Sequence, residues 1–238
     1  PAALIFALHP TALQTIFWSG YREEIIGLIL ILAALYFGIQ NRNKGDFFIH
    51  TMTCLIAYIS HPATLVIPLI LGFCIFYKNG SIKFIDYNRL IPLLCLALFI
   101  GVWTQGVSTT ARLELGERLG ISAQSIFYYL KQALFPFDKA LFYPFHQSKG
   151  FSLGVQNSIL SILLLIPSYI LIAMNLRKAW ARGLLLGLTA YLLLIFYGIS
   201  QAGAFIDGSL ALEDHLQYVA LPTIVALLIC SVDGITRR

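Results

Sequence analysis

The chain has 238 residues, 58% of them hydrophobic and 11% charged, with a formal net charge of +5 and a mean hydropathy of +0.80. A water-soluble domain of this size and composition would expose a very large apolar surface, so that class is excluded and an integral membrane protein is indicated. The positive balance then reports on orientation in a bilayer rather than on nucleic acid, which is not expected as a partner.

The opening "PAALIFALHP" has no Met, basic n-region or cleavage site, so no signal peptide is read there. The residues before His9 reach roughly 12 Å at about 1.5 Å per residue, short of a hydrocarbon core of about 30 Å. The expectation is a partial first helix, and with it an internal or C-terminal piece of a longer protein. His9 and Pro10 end this helix. Thr11 to Ser19 is too short and too mixed to cross, although Trp18 suits an interface, and Gly20 allows a turn before Arg22, Glu23 and Glu24 open the next run.

Apolar runs between breakers predict spans near 24–40, 47–59, 63–77, 90–104, 153–174, 182–199 and 218–233. These give an all-α polytopic bundle of about seven spans plus the partial first helix, in one transmembrane domain covering 1–238. "SHP" at 60–62 divides the second and third runs, because Pro62 removes a backbone donor and drives His61 out of helical geometry. Pro167 is expected to kink its helix without ending it. The segment 105–152 is expected to be external and interfacial, with Ser122 as N-cap of a helix to about 134 and Ile126, Phe127, Leu130 and Leu134 on its apolar stripe. Cys54, Cys74, Cys95 and Cys230 lie in apolar runs without CxxC spacing and read as small buried hydrophobes. No metal site is predicted.

Charge orients the bundle. With the first turn external, Arg42, Lys44, Lys78, Lys83, Arg89, Arg177, Lys178, Arg182, Arg237 and Arg238 fall inside, 10 of the 16 cations. The short basic loops obey the positive-inside rule. The same assignment puts 8 of the 11 acids outside, together with His9, His61, His146 and His215. Chemistry is therefore expected on the external face.

Three candidate sites follow. Arg22 has the planar fork that matches phosphate oxygens, and with His9 and His61 it forms a predicted phosphate-binding set, donor lipid included. The structural alternative is a snorkelling helix anchor, with Glu23 and Glu24 favoured by the helix dipole. His61 alone could equally satisfy carbonyls loosened by the Pro break, and His50 reads as structural. In the last external turn, "SQAGAFIDGSLALEDHLQY", Asp207, Glu213, Asp214 and His215 lack metal-site spacing, and a solvated loop is the alternative to a general base. No GxSxG, Walker A or Rossmann fingerprint is present.

The stretch "ALIFALHPTALQTIFWSGYREEIIGLILILAALYF", followed in order by "YISHPATLVIPLILGFCIFY", "YYLKQALFPFDKALFYPF" and "QYVALPTIVALLI", resembles the membrane domain of transmembrane and tetratricopeptide-repeat O-mannosyltransferases and their bacterial relatives. These are polytopic glycosyltransferases of the GT-C class, and the resemblance touches about half the chain. It marks His9, Pro10, Gly20, Arg22, His61, Tyr143, Pro144, Tyr218 and Pro222. It implies sugar transfer from a polyprenyl-phosphate donor to a protein or glycan acceptor on the external face. Arg22, His9 and His61 would hold the donor phosphate, and Trp18, Tyr143 and Tyr218 would line the substrate pocket. The departures are Glu24 in place of Asp, His61-Pro62 in place of Lys-Glu, and Gln217 in place of Arg. The class usually carries its catalytic carboxylate in the first external loop, so the base is expected upstream of this chain, with Glu24, Asp207, Glu213 and Asp214 as only weak candidates within it.

The implied setting is a multi-pass protein of a bacterial inner membrane, in contact with lipids and with other membrane subunits. No cofactor is required by the pattern, with a divalent cation as an option. A non-catalytic accessory subunit of the same ancestry is the alternative. A polysaccharide polymerase, ligase or flippase is a further one, because these also place external Arg and His on polyprenyl-linked sugars. A transporter with midplane ion sites is disfavoured, since no apolar run carries a charge near its centre.

Overall fold

The computed structural model describes residues 2–17, 19–40, 44–81, 88, 90–105, 115–136, 143–145, 147–201, 205–206, 209–212 and 214–236. The chain is built mainly of helices: α1 (Ala2–Leu8), α2 (Pro10–Phe17), α3 (Arg22–Gln40), α4 (Lys44–Ser60), α5 (Ile67–Asn79), α6 (Leu90–Gln105), α7 (Leu115–Leu134), α8 (Gln147–Met174), α9 (Ala179–Gln201) and α10 (Leu221–Thr236). Short 3-10 turns at Ser19–Tyr21, Pro62–Val66 and Asp214–Gln217 join them. Among the described residues, three helical segments are long and apolar enough to cross a membrane, Arg22–Gln40, Pro62–Asn79 and Ala179–Phe196. Shorter apolar helical stretches occur at Leu90–Trp103, Ile159–Met174 and Leu221–Cys230.

α3 and α4 form the most extensive helix pair, and the sequence shows why they approach so closely. The inward face of α3 carries Glu24, Gly27, Ile31, Ala34 and Gly38, at helical spacings of three and four. Small residues at such positions let two helix backbones come together where no hydrophobic force separates lipid from protein. The facing side of α4 buries His50, Cys54, Ala57 and Tyr58. Antiparallel pairing then places His50 over Gly38 and His61 over Gly27. A Cβ at Gly38 would come within 2.9 Å of the His50 ring, and one at Gly27 within 2.8 Å of the His61 ring.

α9 is the central helix, touching α5, α7, α8, α10 and the 3-10 turns at 62–66 and 214–217. Its Tyr191 and Ile195 are completely buried. The outside is the reverse of a soluble protein: Phe17 is 81% exposed, Ile59 79% and Trp103 74%. Such a surface is stable against acyl chains and costly against water.

The break at 60–62 and the continuation through Pro167 follow expectation. α4 ends at Ser60, His61 is extended (φ −154°, ψ 126°), and α8 runs through Pro167.

Other features differ. The helix expected to start at Ser122 begins at Leu115, so Ser122 lies inside α7 and caps nothing. Its inward face is Ser125, Tyr129, Leu130, Gln132 and Ala133, while Leu134 is 44% exposed and Phe127 half-buried. Polar Ser125 and Gln132 share this inward face with Leu130 and Ala133, while Leu134 and Phe135 are exposed. A three-stranded antiparallel sheet, absent from the all-α expectation, joins β1 (Tyr143–Phe145), β3 (Ser209–Leu212) and β2 (Phe205–Ile206) in the order β1-β3-β2. Tyr143 pairs with Leu212, tying residues 143–145 to residues 209–212. The strands are too short for periodicity to announce them. Cys95 and Cys230 are exposed rather than buried, since a thiol tolerates a lipid-facing position; Cys54 is buried and Cys74 half-buried.

Candidate functional site

The end of the bundle where α3 begins and α4 finishes gathers the polar side chains. Pro62 dictates the local backbone there, because the residue before a proline is pushed to extended geometry. His61 therefore leaves the α4 helix while its N–H still bonds the Ala57 carbonyl at 3.0 Å. Its own carbonyl accepts from the Thr64 N–H (3.0 Å) and the Thr64 hydroxyl (2.6 Å), closing the 3-10 turn. The ring is thereby laid against α3 over Gly27.

One α3 turn back toward the N-terminus stands Glu24. Its Oε2 lies 3.0 Å from His61 Nε2, and both side chains are about 1% exposed. The pair is at ion-pair distance but off the N–H axis of an aligned hydrogen bond. His61 Nδ1 accepts the Ala63 N–H at 3.3 Å, so the ring proton belongs on Nε2, facing the carboxylate. A carboxylate and an imidazole withdrawn from water inside an apolar bundle are costly and mark a site by default.

His9 is committed elsewhere. Its Nδ1 accepts from Thr11 N–H at 3.3 Å and meets the Thr11 hydroxyl, while Nε2 donates to the Ala133 carbonyl at 3.1 Å. That carbonyl belongs to the last turn of α7, where helix geometry provides no partner. His9 thus clips the α1–α2 corner to α7. Arg22 and Glu23 are exposed and make no ion pair among the described residues. Arg22 is two residues from Glu24, about 200° around the helix, so the two leave α3 on opposite sides. The predicted set of Arg22, His9 and His61 is therefore distributed: His61 meets Glu24, His9 meets α7, and Arg22 faces outward at the same end.

A second polar layer borders this end. Gln217 is completely buried and donates from Nε2 to the Tyr129 carbonyl and to the Tyr191 hydroxyl, both at 2.7 Å. His215 stacks on Tyr21 with ring centroids 3.6 Å apart and planes 12° from parallel. Tyr218 is buried, its ring 5.3 Å from that of Phe6. Trp18, Asp207 and Glu213 lie outside the described residues, as do the side chains of Tyr143 and Asp214. Among the described residues, no group of three or more His, Cys, Asp or Glu could hold a metal ion.

Sequence reasoning treated Glu24 as one weak candidate among four, noted Gln217 only as a departure from the family's Arg, and missed Gly27. The Glu24 to Gly27 spacing of three was the available signal, since it puts a carboxylate beside a gap on one helix face. The bridging role of Gln217 had no such signal, because its partners are 88 and 26 residues away.

A cavity of about 760 Å³ lies elsewhere. Gly38, His50 and Lys78 line it, at the far end of α3, roughly 21 Å from Glu24 at about 1.5 Å per residue. The chemistry and the open space are thus at opposite ends, and we locate the candidate site by the buried pair. The fold and this site define a helical membrane-type bundle with a carboxylate–imidazole pair near one mouth. Compared with family models, curated proteins and solved structures, the chain matches none.

Proposed function

We propose that this chain is the membrane part of a GT-C-like glycosyltransferase, with about seven spans, that moves a sugar from a polyprenyl phosphate to a protein or glycan hydroxyl at the external face of a bacterial inner membrane. The observation that supports it is the buried Glu24–His61 pair at the end expected to face outward. The resemblance in ordered motifs supports the substrate class.

In this mechanism the acceptor hydroxyl gives its proton to Glu24 as its oxygen attacks the anomeric carbon. The bond from that carbon to the donor phosphate oxygen breaks, and the lipid phosphate leaves with the electron pair. Arg22, at the start of the same helix, neutralises the leaving phosphate at headgroup level. His61, held by Ala63 and seated over Gly27, keeps its Nε2 3.0 Å from the carboxylate and confines it to that side of α3. Glu24 is covered in this structure, so the reaction requires that end of the bundle to open.

The test is transfer of labelled sugar from a panel of polyprenyl-phosphate donors by the full chain in proteoliposomes containing membrane acceptors. Turnover that disappears in Glu24→Gln and falls at least tenfold in Arg22→Ala supports the reading. A second reading, a non-catalytic membrane subunit, is favoured by the engagement of both His9 nitrogens and by the covering of Glu24. It predicts no turnover with any donor, together with stable co-purification of another membrane protein.

A further inference from the structure

We infer that the opposite end of the bundle binds an anionic phospholipid of the surrounding leaflet, its phosphate beside Lys78 and an acyl chain in the neighbouring groove. This inference is independent of the sugar-transfer proposal and needs only the membrane setting.

The cavity of about 760 Å³ described above is walled by the end of α3, the starts of α4 and α6, the end of α5 and the middle of α9. Its lining is mixed. Leu71, Leu93 and Leu186 are apolar; His50, Lys78 and Asn79 are polar. His50 is 2% exposed and is set into the inner wall over Gly38. Lys78 makes no ion pair among the described residues and is exposed at the rim. A second, almost wholly apolar cavity of about 460 Å³ shares Leu90 as a common wall and runs along Leu69, Phe73, Leu94 and Leu185. A charged opening beside an oily trough, the two sharing Leu90 as a wall, fits a phosphate headgroup joined to an acyl chain. It does not fit a soluble anion, which has no use for the trough.

The surrounding charge is complementary. α6 begins at this end and its first residue, Leu90, lines the cavity, so one positive helix end without an acidic residue in its first turn approaches it; α4, whose Phe47 also lines it, carries Asp46 in its own first turn. At the end of α5, Gly80 (φ +66°) turns the chain back and Arg182 donates to the Tyr77 carbonyl (3.2 Å), as it does to the carbonyls of Leu176 (3.3 Å) and Arg177 (3.0 Å) in the turn after α8. That use of Arg182 leaves Lys78 as the cation among the lining residues. By the positive-inside count this is the cytoplasmic end, where the leaflet carries anionic lipid.

The test titrates the delipidated full chain in detergent with phosphatidylglycerol or phosphatidylcholine and reads bound lipid by native mass spectrometry. Phosphatidylglycerol should bind at least tenfold more tightly than phosphatidylcholine. Lys78→Gln should reduce that preference to within twofold and Lys78→Arg should keep it, while Lys178→Gln should leave it unchanged. Leu94→Trp, which fills the trough, should weaken both lipids at least fivefold. Equal binding of the two lipids by the unaltered chain would overturn the proposal, as would a preference that survives Lys78→Gln. Displacement of phosphatidylglycerol by millimolar inorganic phosphate, or a dimer of the chain that disappears in Leu94→Trp, would assign the site to another occupant and equally overturn it.

Discussion

A missing side chain at position 27 decides what His61 can do. With a Cβ there only 2.8 Å from its ring, the imidazole could not lie against α3 and reach Glu24. Gly27→Ala is therefore expected to overpack the seam and destabilise the protein by about 1–3 kcal/mol, the usual range for forcing a methyl into a filled interior. Thermal unfolding in detergent checks this. Glu24→Leu removes the acceptor that His61 Nε2–H faces and should cost about 1–3 kcal/mol, the desolvation penalty of a stranded donor. Glu24→Gln keeps a carbonyl oxygen in that place and should cost less than about 1 kcal/mol by the same argument. Equal melting losses in the two variants would show that the contact does not hold the fold.

Among the elements, α7 was the hardest to read from the sequence. Its spacing put Ile126, Phe127, Leu130 and Leu134 on one apolar stripe of an interfacial helix, yet of these four only Leu130 is buried, and the buried face otherwise carries Ser125, Tyr129, Gln132 and Ala133. The rule that apolar residues point inward assumes water outside. Against lipid the preference weakens, and hydrogen bonds decide which side is buried. Gln217 shows the principle, joining α7 to α9 through the Tyr129 carbonyl and the Tyr191 hydroxyl. Gln217→Leu, close in size but without the amide donor, should loosen α7 from α9 and cost about 1–3 kcal/mol. Hydrogen exchange should rise at Tyr129 and its neighbours while α3 and α4 stay protected; unchanged protection in α7 would contradict the bridge. The break between α4 and α5 was legible, because Pro62 carries its own geometry into the sequence. The partner of His61 was not, because Glu24 is 37 residues earlier and only packing brings them together.

For the whole molecule, composition gave the membrane class directly, and the three helices long enough to cross agree with it. The two ends differ in kind. One holds the Glu24–His61 pair and the Gln217 layer, the other the Lys78 cavity and the Arg182 cap. Since α3 runs from the first end to the second, single cysteines at Gly20 and Asn79 should label from opposite sides of sealed vesicles with an impermeant maleimide, Gly20→Cys from outside. Labelling of both from one side would contradict the topology.

The central claim is that Glu24, paired with His61, is the group that takes the acceptor proton. Sugar transfer by Glu24→Gln, measured in proteoliposomes beside the unaltered chain at equal amounts of folded protein, addresses it most directly. The account predicts transfer reduced at least a hundredfold with the melting temperature nearly unchanged. Transfer at the level of the unaltered chain would contradict it.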